Sequence, residues 1–303
     1  MRTQARGLAR AVAERVIEKQ PTRSGPLAWL RGKFGAGALG GEFMPPWPDI
    51  LITCGRRSVP YAVAIKRASG GRTLTIHVQD PRTHRGRFDL IIAMAHDRLA
   101  EGPKVIKIST ALHDITAASL AEAAGAWSMR LSPLGHPLIG VIVGGDLRGR
   151  PFTPKDADRL IQGLKRLRGE IGAGLAITPS RRTPSVVRNQ IAQAFANDPS
   201  VFIWDLSGEN PYRAILALAD RLVVTTDSVS MVSEAIATGH LVDLLDLDFP
   251  RHRGFVQNLI DQGLARRFDG MRGDFVPQRT PDITKAVAAR VLKLIQARTG
   301  ADG

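Results

Sequence analysis

Cysteine is almost absent: Cys54 is the one thiol in 303 residues. It excludes an internal disulfide framework and fits a reducing compartment. Phe, Trp and Tyr together reach only 5%. No aromatic stacking surface or nucleic-acid reading motif is visible, so nucleic-acid binding is not expected. No apolar run is long enough to cross a bilayer and no signal-peptide pattern is seen, so neither a span nor a secretory leader is expected. The seven histidines and one cysteine show no metal-ligand spacing, and no metal or resident cofactor is expected. Acidic residues are scarce too, with 28 Asp and Glu against 42 Lys and Arg, a net +14. The excess is spread along the chain, and such a field favours phosphates on nucleotides, nucleic acid or an anionic membrane face. Against these shortages stands a 44% hydrophobic content, enough for a large core. The length suits two domains.

The opening "MRTQARGLARAVAERVIEK" predicts an amphipathic helix with Leu8, Val12 and Val16 on one face, joined by Ile17 or Ala9. Glu14, Glu18 and the periodicity favour a packed helix over an Arg-rich transit peptide. From Asp49 short apolar runs alternate with helices. Strands are expected at 49–53, 72–79, 88–94 and 104–109, with a helix at 58–69 and another capped by Thr116. Pro and Gly cluster at 131–138 and mark a linker. A second series follows, with strands at 138–143, 174–178, 201–204, 221–226 and 241–247 and helices opened by Thr153-Pro154 and Thr183-Pro184. The last helix, 282–298, is amphipathic. This pattern predicts an α/β chain of two parallel-sheet domains facing a cleft. Their expected bounds are 1–134 and 135–281, with the helix of 282–303 packing across both. "GAGALG" (Gly35, Gly37, Gly40) matches a dinucleotide fingerprint literally, but neither a strand before it nor a helix after it is predicted, so it reads as a loop.

The stretch "TTDSVSMVSEAIATG" (225–239) carries the strongest chemical signal. It sits in a strand–helix–strand unit, so the helix N-terminus lies at the carboxyl edge of the sheet, where open α/β folds bind ligands. Asp227 or Ser228 is the expected cap. The N–H groups of Ser228, Val229 and Ser230, with the helix dipole, form an anion site. Glu234 lies a turn and a half further in, among apolar neighbours where a lone carboxylate is costly. It suits the two hydroxyls of a ribose, or else pairs with an arginine.

Seven motifs, "CGRRSVPYA" (54–62), "VQDPR" (78–82), "FDLIIAMAHD" (88–97), "VGGD" (143–146), "TPSRRTP" (178–184), "WDLSGENPY" (204–212) and "TTDSVSMVSEA" (225–235), occur in one order. In these the chain resembles the mitochondrial fission (elongated-mitochondria) family, whose bacterial members are regarded as candidate GT-B glycosyltransferases. The resemblance implies a GT-B-like fold of two Rossmann-like domains and a metal-independent sugar transfer. The donor would be a nucleotide-diphosphate sugar, and the acceptor a lipid or glycan at the cytoplasmic face of the inner membrane. A nucleotide-sugar epimerase shares this fold, and a non-catalytic membrane-associated scaffold is the reading of a different class. Carried onto this chain, Gly144 and Gly145 would let backbone approach the diphosphate. Ser180, Arg181 and Arg182 would meet its charge, the loop from Trp204 to Asn210 would cover the base, and Glu234 would hold the ribose. The general base is sought after the first domain's strands, at Asp80, His96 or Asp97, with Arg56 and Arg57 at the same edge. GT-B chains begin with a strand and a glycine-rich turn; this one starts in the following helix, so the first domain is expected to lack its first strand and to show a gap or an edge there.

Overall fold

A computed structural model describes residues 2–20, 43–147, 149–273, 276–278 and 282–299. The Gly35, Gly37 and Gly40 pattern lies outside these residues. The chain forms two compact units, one of residues 1–114 with 281–303 and one of 115–280.

In the first unit, α1 (Arg2–Val12) precedes β1 (Ile50–Cys54), α2 (Val59–Ala68), β2 (Leu74–Val78), β3 (Leu90–Met94) and β4 (Val105–Ile108). The four strands lie side by side in chain order, all parallel, and β1 forms one edge among the described residues. The first helix stops at Val12 instead of running towards Lys19. The chain turns back, and Glu18 accepts from Arg2 Nε at 2.9 Å and Arg6 Nη2 at 3.0 Å. An acid expected on the helix therefore closes a loop onto it. The last helix, α9 (Ile283–Thr299), packs on α1 within this unit. Thr284 Oγ1 accepts the His113 N–H at 3.0 Å. A Cβ on Gly7 of α1 would lie 2.2 Å from the His113 carbonyl oxygen. Only glycine admits that approach.

His77 on β2 is fully buried. Its Nδ1 lies 2.8 Å from Thr53 Oγ1 and its ring 4.9 Å from that of Phe88. Nε2 meets no partner among the described residues. Burial pushes its pKa down to about 4, from 6.5. The folded chain thus resists a proton that the unfolded chain takes up near pH 6.5. This contribution is complete above that value and is lost as pH falls through 4. Urea unfolding at neutral pH and at about pH 4.5 should show a loss of roughly 2–3 kcal/mol from this group. His77→Leu should flatten the slope, and an unchanged slope would place the titration elsewhere.

The second unit runs α3 (Ala117–Leu131), β5 (Leu138–Val143), α4 (Pro154–Ile171), β6 (Gly174–Pro179), α5 (Ser185–Ala194), β7 (Val201–Ile203), α6 (Tyr212–Leu218), β8 (Arg221–Thr225), α7 (Val229–Ala237), β9 (Leu241–Leu245), α8 (Arg253–Asp261) and β10 (Arg266–Arg267). The division falls between Asp114 and Ile115 rather than after 134. The reason is α3, which packs on α6 and sets Trp127 against Phe202 with ring centroids 5.9 Å apart. Every residue of β5, β6 and β8 is buried, as expected for a parallel sheet covered on both faces.

The strand order is β10-β9-β8-β5-β6-β7, all parallel. The chain winds outward from β5 through β6 to β7, then returns to the other side of β5 and continues through β8 and β9. The direction reverses between β5 and β8. Edge strand β10 is anchored by charge: Asp243 of β9, fully buried, is bound by Arg266 Nε at 2.6 Å and also by Arg221. Burial pushes the Asp243 pKa up against the pull of both guanidiniums. No described helix is long and apolar enough to cross a membrane.

Candidate functional site

The point of reversal gathers the ends of β5, β6 and β8. After Val143 come Gly144 and Gly145. The Gly144 N–H donates to Thr225 Oγ1 at 2.8 Å, and the Thr225 hydroxyl donates to Asp227 Oδ1 at 2.7 Å. The Gly145 N–H reaches Asp227 Oδ2 at 3.0 Å, and Arg182 Nη2 reaches the same oxygen at 2.9 Å. Both glycines are forced by this packing. A Cβ on Gly144 would stand 1.8 Å from Asp227 Oδ1, and one on Gly145 would stand 2.0 Å from the Arg182 carbonyl oxygen.

Asp227 therefore is not the cap of α7. Its side chain is fully buried, tying two loops together beneath the sheet edge. The cap is Ser228, extended at φ −128°, whose hydroxyl accepts from the Met231 N–H at 3.4 Å. Ser228, Val229 and Ser230 remain partly exposed at the helix tip. The loop after β6 is fastened by Thr183. Its Oγ1 accepts the Ser180 N–H at 2.9 Å, and its hydroxyl bonds the Gly144 carbonyl. Ser180 Oγ takes the Arg182 N–H at 3.2 Å. Arg182 adds a bond to the Asp146 carbonyl at 3.2 Å, so its guanidinium is held inward. Arg181, by contrast, is exposed and has no ion pair among the described residues.

Trp204 is buried, and its indole N–H donates to the Ser207 carbonyl at 2.7 Å. Asn210 Oδ1 accepts the Tyr212 N–H at 2.9 Å, at the start of α6. Both hold the 204–211 loop in shape. Glu234 is buried on α7, and its Oε2 accepts a 2.6 Å hydrogen bond from the Tyr212 hydroxyl. Thr183, Thr225 and Tyr212 all lie inside the motifs quoted above. Each hydroxyl also has a partner far away in sequence, Gly144 for Thr183 and Thr225 and Glu234 for Tyr212, which no local pattern signals.

In the first unit the base candidates also follow strand ends. Asp80, after β2, is bound by Arg85 through Nε at 3.0 Å and Nη2 at 2.8 Å, and accepts the Arg82 N–H at 2.9 Å. Burial pushes its pKa up, but the Arg85 and Arg82 contacts prevail and hold it below the usual carboxylate range. A carboxylate held this way is a weak acceptor for a hydroxyl proton. Asp97, after β3, accepts the Met94 N–H at 3.0 Å and closes a turn, with Lys107 Nζ on its carbonyl at 2.5 Å. His96 is exposed in that turn. Arg56 and Arg57 form a short 3-10 turn between β1 and α2, and both are exposed.

Comparison with known proteins bears on the whole chain. The family model described as Mitochondrial fission ELM1 matches residues 1–295. The Mitochondrial fission protein ELM1 of Arabidopsis thaliana is 31% identical over 277 residues, 83% of this chain but only 65% of the relative. Among solved structures, the Staphylococcus aureus MnaA–UDP complex aligns with a TM-score of 0.56 at 13% identity, covering 98% of this chain and 93% of its own. The UDP-GlcNAc 2-epimerase of Neisseria meningitidis bound to UDP-GlcNAc aligns at 0.51 and 12%, covering 91% and 84%. At such identities the likeness establishes the fold: both sheets are those of a GT-B-like chain.

Proposed function

Since the chain belongs to the Mitochondrial fission ELM1 family, we propose that its second unit binds a nucleotide-diphosphate sugar, and that the chain transfers the sugar to a lipid or glycan acceptor at the cytoplasmic membrane face. The observation that carries this reading is the reversal of strand order between β5 and β8. Open parallel sheets bind ligands at that point, outside the carboxyl ends of the strands. Here the diphosphate would lie on the N–H groups of Ser228, Val229 and Ser230 with Arg181 beside it, next to the Gly144–Gly145 turn. Glu234 would take the ribose hydroxyls. The UDP and UDP-GlcNAc named for the structural neighbours make a uridine nucleotide the first to try.

In the first unit His96, exposed in the turn after β3, is the base candidate that this reading retains, since Asp80 is held below the usual carboxylate range by Arg85 and Arg82. A second reading, a non-catalytic scaffold, is favoured by the name of the Arabidopsis relative. Melting curves with a panel of nucleoside diphosphates separate the two. A ligand at about a hundred times its Kd should add roughly 2.7 kcal/mol of native-state stability. No shift with any member supports the scaffold. Incubation with the nucleotide sugar alone then distinguishes transfer from epimerisation, since only the latter proceeds without an acceptor.

A further inference from the structure

The chain's positive charge is divided very unevenly between the two units. The first contains 23 Lys and Arg against 11 Asp and Glu, a net +12; the second has 19 against 17, a net +2. At the carboxyl edge of the first sheet, arginines stand after three successive strands. Arg56 and Arg57 follow β1, Arg82 and Arg85 follow β2, and Arg98 follows β3. Both carboxylates at these three strand ends are already engaged: Asp80 with Arg85 and Arg82, and Asp97 with the Met94 N–H. Arg56, Arg57 and Arg98 are exposed and make no ion pair among the described residues.

The middle loop is also held in a costly shape. Gln79, Arg82 and His84 have φ of 80°, 66° and 56°. Non-glycine residues seldom enter this region, and such strain collects where a loop is fixed for use. The Asp80 carboxylate fixes it, since it binds both the Arg82 N–H and the Arg85 guanidinium.

We propose that this edge is a phosphate site, which takes a molecule carrying a phosphate or diphosphate group between Arg56, Arg57 and Arg98. Guanidinium forks match phosphate oxygens in pairs, which a lysine cannot reproduce. If the transferase reading above holds, the molecule is the acceptor; the site itself does not depend on that reading.

The test is calorimetric titration of pyrophosphate at fixed ionic strength, with and without saturating UDP. The proteins are the wild type, an Arg56→Ala/Arg57→Ala/Arg98→Ala variant, and a charge-matched Lys155→Ala/Lys165→Ala/Arg166→Ala control on the second unit. The arginine variant should bind pyrophosphate about tenfold or more weakly while the control stays near wild type. Arg→Lys at the same three positions should restore only part of the loss. Should the triple variant melt early, Arg57→Ala and Arg98→Ala singly read the same edge, each with an expected loss of about threefold.

Sedimentation with phosphatidylcholine vesicles, with and without phosphatidylglycerol, identifies the source. Capture that needs the anionic lipid and the three arginines points to a lipid headgroup. Pyrophosphate binding without such capture points to a soluble phosphorylated molecule. Equal affinity in variant and wild type overturns the site, as does abolition of pyrophosphate binding by UDP. A DNA oligonucleotide that binds more tightly than either probe and depends on the same arginines also overturns it. If UDP fails to bind but the arginine dependence persists, the transferase reading falls and the site stands.

Discussion

Glu234→Gln should weaken nucleoside-diphosphate binding by about tenfold or more while the fold survives. Hydrogen bonds to a charged carboxylate contribute on the order of 1.5–3 kcal/mol each, and the ribose would present two hydroxyls. Glutamine keeps the shape and can still accept from the Tyr212 hydroxyl, which now lies 2.6 Å from Glu234 Oε2. The difference therefore isolates the charge. A deoxyribose nucleotide should bind the wild type more weakly and lose little further in the variant. Tyr212→Phe should have a smaller effect on the same ligand, because it removes one hydrogen bond and leaves the carboxylate in place. If Glu234→Gln leaves nucleotide affinity intact and lowers the melting temperature instead, the glutamate serves only to tie α7 to α6.

Asp227→Ala should cost about 2–4 kcal/mol in urea unfolding. The carboxylate is fully buried while the guanidinium that it binds is 47% exposed, so solvent moderates the ion-pair share. The larger part is the loss of an acceptor for the Gly145 N–H and the Thr225 hydroxyl. Asp227→Asn retains one carbonyl oxygen and should recover about half of the loss. Nucleotide affinity should fall in the alanine variant even where it remains folded, because the Gly144–Gly145 turn loses its fastening. A variant as stable as the wild type would mean that Arg182 and the glycine turn are held by other contacts.

The sheet frame was legible because strand burial writes itself locally. "LIGVIV" is apolar at every position and becomes β5 over those same residues, and Thr153-Pro154 starts α4 where an extended cap and a proline must. The short edge strand β10 was not legible. Arg266 is held by Asp243 of β9 and Arg267 by Asp246 just beyond it, and no periodicity signals a two-residue strand. The site was half legible for the same reason. Glycines and the Ser228 cap follow from local backbone needs. The inward bond of Arg182 to Asp227 and the bond of Tyr212 to Glu234 cross 45 and 22 residues of chain. Asp227 was misread as a cap candidate because a cap is the nearest use that sequence offers to an aspartate before a helix. Asp80 likewise looked available as a base, since its principal partner, Arg85, lies just beyond the motif "VQDPR".

The first unit is assembled from two separated stretches, with α9 packed on α1 and Thr284 bonded to the backbone of His113. During synthesis the ribosome releases the whole of residues 115–280 before it releases α9. The later-encoded unit thus has all of its elements available while the earlier one, its four strands already made, still waits for the helix that packs on α1. The usual N-to-C order of domain completion is inverted, and a nascent chain stalled before residue 283 would leave the part of α1 that packs on α9 open to the surrounding solution.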